Sequence, residues 1–286
     1  MARVSFSQYS TWKSCPNQYK LNYIDELSES KSNVSLIFGT AMHEVLQSYI
    51  DVCLRLSKSQ ADKSMNLKQL LTEKMRDEYL KESEKCKEDI CTKDELVEHL
   101  NDGILILEQF QKSKHFNKFF DLKYDEVIAI EQPLNTKVKD NVNFIGFIDL
   151  VIKDSFNGKY RIIDFKTSTK GWSSYQKKDE VKNSQILIYK KFYSELFGVS
   201  QDMIDVEFII LKRKIPADTE YPIPRVSKHV PANGKPSVNR AWAGFMDFVN
   251  TVFDENGNRR TDIPYPKKPS KLCEWCDFFG KHCDGK

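Results

Sequence analysis

The sequence lacks a long hydrophobic run and a strong excess of either charge. No apolar stretch approaches the roughly 20 residues of a membrane-spanning helix, so we expect no membrane partner. The 286 residues contain 44 Lys and Arg against 41 Asp and Glu, a net charge of +3. This near balance argues against a basic packing protein and an acidic disordered tail. Met1–Ser5 contains no apolar signal segment, so we expect the chain to work in the cytoplasm or another reducing, intracellular compartment.

Repeats and nucleotide-binding motifs are also absent. The chain has no internal repeat, no low-complexity tract and no Gly-x-x-x-x-Gly-Lys-Ser/Thr motif, so we expect no ATP-driven motor of its own. Its seven cysteines are odd in number, and a reducing compartment does not favour disulfides. They therefore need an explanation other than a disulfide framework.

The overall composition is that of an ordinary globular protein, with 40% hydrophobic and 30% charged residues. The length fits one large domain, which we divide into four regions. They are N-terminal helices at 1–58, a charged helical insertion at 59–123, a core at 124–255 and a tail rich in Pro and Cys at 256–286. Residues 51–100 hold 12 acids and 10 bases, which suggests solvated helices with pairs of opposite charge.

Hydrophobic periodicity predicts the elements of an α/β fold. The predicted helices span 5–24, with a break at Pro16, and then 35–56, 180–197 and 237–254. The predicted strands span 127–131, 142–153, 159–166 and 206–212. Asn157-Gly158 indicates a tight turn between the second and third strands, and the five prolines of 216–236 indicate a loop.

Two neighbouring predicted strands carry the residues with the clearest chemistry. One ends in Gly146-Phe147-Ile148-Asp149, and the other contains Asp164-Phe165-Lys166. The two-residue period of a strand places Asp164 and Lys166 on one face, and a hairpin can bring Asp149 to them. Two such carboxylates favour Mg²⁺ or Mn²⁺, and a lysine beside them can orient water and stabilise charge on a phosphate. The set predicts metal-assisted phosphodiester hydrolysis; the alternative is an Asp-x-Lys surface pair without function.

The order of the motifs resembles the PD-(D/E)XK nuclease superfamily and, within it, the RecB-like branch. The matching segments are Ser14-Cys15-Pro16-Asn17-Gln18-Tyr19-Lys20, Phe38-Gly39-Thr40-Ala41-Met42-His43, Gly146-Phe147-Ile148-Asp149, Asp164-Phe165-Lys166 and Gln185-Ile186-Leu187-Ile188-Tyr189. The resemblance covers most of the chain apart from 59–123. It implies a restriction-endonuclease-like α/β core, in which helices flank a mixed β-sheet. Asp164 stands where Glu is commoner in the family.

The resemblance also implies a role for each matching residue. His43, Asp149 and Asp164 would be ligands of Mg²⁺ or Mn²⁺, together with the backbone carbonyl of Phe165. Lys166 would be the catalytic lysine. Gln185 and Tyr189 would orient the DNA or that lysine. Each helper residue has a purely structural alternative: a histidine that caps or packs, and a helix face that points to the core or to solvent.

Three cysteines of the tail are closely spaced. Cys273 and Cys276 form a Cys-x-x-Cys pair, and Cys283 follows, which indicates a metal site in a reducing compartment. The resemblance extends here to AddB-type nucleases and CRISPR-associated RecB-like exonucleases, and implies a [4Fe-4S] cluster completed by Cys15 that joins the two chain ends. The spacing does not separate such a cluster from tetrahedral Zn²⁺, for which His282 is an alternative ligand.

The remaining cysteines lack this clustering. Cys53 continues the apolar face of its predicted helix, so we expect it in the core. Cys86 and Cys91 lie in the charged insertion, where we expect exposed or half-buried thiols.

Any nucleic-acid surface must be local, because the net charge is small. Residues 210–286 hold 14 bases and 9 acids, and Lys212 and Arg213 are candidates for phosphate contacts. Trp172 and Tyr175 lie among lysines after the Asp-x-Lys strand and are candidates for stacking on single-stranded bases. In the alternative, the charges are solvated and Trp172 pins a loop.

By resemblance we expect a deoxyribonuclease, chiefly an exonuclease on single-stranded DNA that also cleaves flaps or circles. Its setting would be repair, recombination, or phage or CRISPR DNA processing, and a helicase or recombination protein is a candidate partner. Two alternatives stay open: a non-catalytic DNA-binding or scaffold subunit, and a zinc-stabilised, site-specific endonuclease.

Overall fold

A computed structural model describes residues 1–27, 32–87, 89–216 and 221–285. The helices of these residues are α1 (Phe6–Ser14), α2 (Pro16–Tyr23), α3 (Val34–Arg55), α4 (Lys58–Ser64), α5 (Leu67–Cys86), α6 (Lys93–Gln111), α7 (Ser113–Phe116), α8 (Ser174–Lys177), α9 (Glu180–Phe197) and α10 (Lys235–Val252). The strands are β1 (Ala2–Val4), β2 (Asp125–Lys139), β3 (Val142–Asp154), β4 (Tyr160–Ser168), β5 (Ile204–Lys212) and β6 (Val226–His229). Part of the predicted proline-rich loop, 217–220, lies outside the described residues.

The predicted break between the first two helices is confirmed. Cys15 takes an extended conformation, with φ −156° and ψ 109°, and separates α1 from α2. Pro16 occupies the first position of α2, where its missing N–H costs no helical hydrogen bond. The side chain of Ser5 accepts a hydrogen bond from the Gln8 amide and so caps α1. Cys15 is therefore held in a bend between two helices.

The sheet is mixed, as predicted. β2 runs antiparallel along the whole of β3 and occupies one of its edges. The other edge of β3 is shared, because β1 pairs with Val142–Phe144 in parallel and β4 pairs with Leu150–Lys153 antiparallel. β5 then joins β4 in parallel, and β6 joins β5 antiparallel. The shared edge leaves β3 unpaired on that side between residues 144 and 150.

Helices cover both faces of the sheet. One hydrophobic cluster packs α1, α2, α9 and α10 against the sheet and includes Phe144, Ile148 and Phe245. The other packs α3 to α7 on the opposite face and includes Phe165 and Cys53, which is buried as predicted. The charged insertion therefore forms part of a core layer. Within the described ranges, no helix combines the length and apolar character needed to cross a membrane.

Three parts of the sheet differ from the prediction. β1 was not predicted, β2 continues to Lys139 beyond its predicted end at 131, and β6 lies inside the segment predicted to be a loop. The helix predicted at 237–254 begins earlier and ends earlier, at Lys235 and Val252. The division into four regions stays a prediction.

Candidate active site

A fork between β3 and β4 forms the centre of the candidate site. The two strands pair between Leu150 and Ile163 and separate beyond that pair. Asp149 lies at the point of separation, where its Oδ2 accepts a hydrogen bond from the Phe165 amide at 2.7 Å. Beyond the fork, the Phe165 amide of β4 no longer has a backbone carbonyl of β3 as its partner. The Asp149 carboxylate accepts its hydrogen bond instead.

Asp164 and Lys166 project from β4 beside this fork. Lys166 Nζ lies 2.8 Å from Asp164 Oδ2, which confirms that the two side chains share a face. Asp164 is only 3% exposed. Its Oδ2 forms this ion pair but no hydrogen bond within the described residues. A buried carboxylate oxygen with an unused lone pair is suited to bind a cation.

His43 approaches the same point from α3. Its Nδ1 lies 3.4 Å from Asp149 Oδ2. Burial lowers the pKa of His43 to about 4, and the Lys166 ammonium acts in the same direction, against the Asp164 carboxylate. The imidazole is therefore neutral at physiological pH, the form that binds metals. Gly39, one turn earlier, brings α3 close to β4, since a Cβ there would lie 3.5 Å from Thr167 Oγ1.

The electrostatics of Asp149 are those of crowded carboxylates. Burial raises its pKa well above the usual value, and the Asp164 carboxylate raises it further. The Lys166 ammonium and the Phe165 amide oppose this rise without cancelling it. A divalent cation between the two carboxylates would remove the repulsion.

Gln185 and Tyr189 line the opposite side of the site from α9. Gln185 Nε2 donates to the Tyr189 hydroxyl oxygen at 3.2 Å. Burial raises the pKa of Tyr189, and the Asp164 carboxylate adds to this rise, which places the phenol within the field of the acids. Gly146 makes room for the ring, because a Cβ there would lie 3.4 Å from Tyr189 Cε1 and 3.0 Å from the Phe144 ring.

In this structure, the metal ligands predicted from the sequence do not come close enough together to form a complete binding site. Within the part of the chain that the structure describes, no three His, Cys, Asp or Glu side chains form a group that could hold a metal ion. His43, Asp149 and Asp164 nevertheless supply the donor types that a hard divalent cation prefers: carboxylate oxygens and a neutral imidazole.

Two further residues, Gln47 and Glu131, lie at the back of the site, and the contact between them was not predicted from the sequence. Gln47, one turn after His43 on α3, donates from Nε2 to Glu131 Oε1 at 2.6 Å and to the Asp149 carbonyl oxygen at 3.0 Å. Glu131 lies on β2 opposite Asp149, between the pairs that flank them, and its charge also raises the pKa of Asp149. The φ of Glu131 is positive, at 49°. The sequence does not predict this conformation, because the residue is not a glycine.

The structure separates the four candidate DNA contacts into two groups. Trp172 packs against Phe208 and His229, with ring centroids 5.0 and 5.8 Å apart. Arg213 pairs with the buried Asp102 at 3.1 Å and is itself 12% exposed. These contacts favour a structural role for Trp172 and Arg213, and their contact with DNA stays a prediction.

Tyr175 and Lys212 remain as candidates. Tyr175 is 82% exposed at the start of α8. Among the described residues, no acidic side chain lies within ion-pair distance of the Lys212 ammonium. The Lys212 side chain passes Gly171, since a Cβ built there would lie 2.7 Å from Lys212 Cε.

The four cysteines predicted as cluster ligands line one cavity. Cys15, Cys273, Cys276 and Cys283 are among the walls of a space of about 250 Å³ between α2 and the tail, and His282 is not. None of these cysteines is in a disulfide. The Ser270 amide donates a hydrogen bond to Cys273 Sγ at 3.4 Å. The thiols are gathered around a common space, although they do not converge into a closed ligand group.

The fork, the buried acids and the lysine define the class of protein as a nuclease-type hydrolase built on an α/β core. A profile of the PD-(D/E)XK nuclease superfamily matches residues 3–280. The chain belongs to the PD-(D/E)XK nuclease superfamily. No curated protein matches it.

Proposed function

We propose that the protein is a divalent-metal-dependent deoxyribonuclease of the RecB-like branch, acting chiefly as an exonuclease on single-stranded DNA. The observation that carries the proposal is the fork itself. It brings Asp149, the Asp164–Lys166 pair and His43 to one point where two inner strands separate, and the Lys166 side chain there is partly exposed.

The residues that would hold Mg²⁺ or Mn²⁺ are His43, Asp149 and Asp164, with the carbonyl of Phe165. The buried Asp164 carboxylate, whose Oδ2 contacts only the Lys166 ammonium among the described residues, and the neutral imidazole of His43 support this assignment. When bound, such a cation neutralises charge on the phosphate and activates water.

Lys166 is the residue that acts on the nucleophile in this proposal. Its ammonium would orient the attacking water in line with the leaving oxygen and stabilise the charge that develops on the phosphate. Tyr189, held by Gln185, would limit the mobility of Lys166 and the substrate from the opposite wall. Tyr175 and Lys212 would contact the single strand outside the fork, by stacking and by phosphate pairing.

We further propose that the cysteine cavity binds a [4Fe-4S] cluster, with Zn²⁺ as the alternative occupant. The support is the position of all four thiols on the walls of one cavity that joins the two ends of the chain. The absence of His282 from those walls favours four thiolates over a Cys₃His site.

The decisive experiment is a nuclease assay with Mn²⁺ or Mg²⁺ on single strands labelled at either end, on duplexes and on circles. We expect wild-type protein to shorten linear single strands, and Lys166→Met to reduce the rate roughly 100-fold or more, as removal of a group that stabilises charge in the transition state does. The pattern of products gives polarity and separates exonuclease from endonuclease cleavage.

A matched control is Lys153→Met, on the same hairpin but beside Tyr160 and away from the fork. It should leave the rate unchanged. Binding of DNA without cleavage by metal-loaded wild-type protein would instead support a non-catalytic DNA-binding subunit.

A further inference from the structure

Gln47 forms two hydrogen bonds that link the back of the site together. Its Nε2 donates to Glu131 Oε1 at 2.6 Å and to the Asp149 carbonyl oxygen at 3.0 Å. A carboxylate and a carbonyl are both acceptors, so the side-chain amide has only one workable orientation. Gln47 is 3% exposed, so its side-chain amide group is largely shielded from water, although Glu131 itself is exposed.

Glu131 and Asp149 lie at the point where β2 and β3 both reverse the direction in which alternate side chains point from the sheet. On β2, Ile130 packs against the hydrophobic cluster on the face covered by α3 to α7. Leu134 is buried in the cluster on the opposite face, with α1, α2, α9 and α10. On β3, Ile148 lies in the cluster with α9 and α10, and Leu150 lies in the cluster with α3 to α7. Residues an even number apart normally share a face of a strand, so both strands reverse their facing at this point.

The reversal requires an unfavourable backbone conformation at Glu131. Its φ of 49° is rare for a residue with a side chain, and conformations of this kind persist only where surrounding contacts hold them. The contact available here is the hydrogen bond that Gln47 donates to the Glu131 side chain. The same amide reaches Asp149, and so ties the irregular turn of β2 to the peptide that carries the candidate ligand.

We propose that Gln47 is a positioning residue: it clamps the Asp149 peptide to Glu131 and thereby fixes the Asp149 carboxylate in the fork. The clamp rests on the proposed function, because its purpose is to hold a metal-binding carboxylate. Gln47 touches neither substrate nor cation in this proposal, and Glu131 serves as its anchor.

The first test uses Gln47→Met, which keeps the length of the side chain and removes the donor. We expect the Mn²⁺ concentration for half-maximal cleavage to rise about tenfold or more, with the KM for DNA changed less than twofold. Glu131→Gln keeps an acceptor oxygen for Gln47, and should stay within about threefold of wild type. If Glu131→Gln is as damaging as Gln47→Met, the charge of Glu131 matters instead of the clamp, and the proposal is wrong.

A second measurement does not depend on activity. Hydrogen–deuterium exchange of metal-free protein should show faster exchange at 146–152 in Gln47→Met, and in Glu131→Met, whose altered side chain is exposed and does not endanger the fold. Gln109→Met is the matched control, because Gln109 also bonds a backbone group, the Arg225 amide, but lies on α6 away from the fork.

The two measurements separate the clamp from the proposed function. Wild-type protein that cleaves no nucleic acid would refute the nuclease assignment. The exchange measurement would still test whether Gln47 holds the Asp149 peptide in place, because it does not require activity. Unchanged exchange at 146–152 in both clamp variants, or an equal change there in Gln109→Met, would overturn the proposal.

Discussion

Trp172 and Tyr175 lie three residues apart and have opposite environments. The Trp172 ring packs on Phe208 and His229 and has the Lys182 ammonium 5.4 Å from its centroid. Tyr175 is 82% exposed on α8. An exposed aromatic ring beside a basic segment can stack on a base of any identity, whereas a packed ring stabilises the loop after β4. Exposure therefore makes Tyr175 the better candidate for stacking on a base, while the contacts of Trp172 support the loop.

Tyr175→Ala should weaken binding of a single-stranded oligonucleotide, because one base would lose its stacking partner. The expected loss is about 1–3 kcal/mol. The measurement is fluorescence anisotropy in a Lys166→Met background, which prevents cleavage during the titration. Phe156→Ala is the control, since Phe156 is 76% exposed in the turn at the far end of the β3–β4 hairpin. Equal affinities for both variants would exclude Tyr175 as a contact.

The sequence predicted some residues of the site and missed others for a physical reason. The common face of Asp164 and Lys166 follows from strand periodicity alone, and the structure shows the pair. Gln47 and Glu131 are 84 residues apart, and they meet only because two strands reverse their facing. That reversal breaks the periodicity on which the prediction of faces depends.

At the scale of the elements, α6 is joined to the sheet by a buried ion cluster. Asp102 accepts from Arg213 and Lys214, which follow β5 directly, at 3.1 Å each. Asp102 and Arg213 are both largely buried, while Glu98, one turn earlier, pairs with Lys214 in solvent. The cluster connects the charged insertion to the end of β5, which runs beside β4.

Asp102→Ala should destabilise the protein by about 3–5 kcal/mol, because it leaves a buried guanidinium without its counter-charge. Glu98→Ala removes an exposed partner of the same lysine and should leave stability almost unchanged. Urea unfolding at equilibrium measures both. If the two variants lose the same stability, the buried cluster does not hold the insertion in place.

The helices were easier to predict than the edges of the sheet. α3 and α9 have clear apolar faces and capping side chains, Asn33 and Asp179, at the ends where they begin. β2 is an edge strand, which tolerates Pro133 because one side of its backbone has no ladder to complete. β6 is four residues long within a proline-rich segment, so local preferences gave no indication of it.

At the scale of the whole molecule, the two ends of the chain form one unit. Tyr19 of α2 stacks on Tyr265 with centroids 6.3 Å apart. The Asn17 amide donates to the Pro266 carbonyl, and Lys268 Nζ donates to the Lys13 carbonyl at 3.0 Å. The cysteine cavity lies along this junction. No local pattern predicts such contacts between distant segments; the expectation that the ends meet came from the family resemblance.

Occupation of the cavity by a cluster or a zinc ion should therefore stabilise both chain ends together, since ligands from each end would bind one centre. Cys276→Ser should remove the bound metal and the visible absorption of an iron–thiolate centre from anaerobically purified protein. Hydrogen exchange should then rise in 6–23 and in 264–285, and stay unchanged in α5. Cys91→Ser, a half-buried thiol of the insertion, is the matched control. Colourless wild-type protein with one zinc per chain would select the zinc alternative. Wild-type protein without either metal, or exchange that rises at only one end, would show that the cavity does not join the chain ends through a metal.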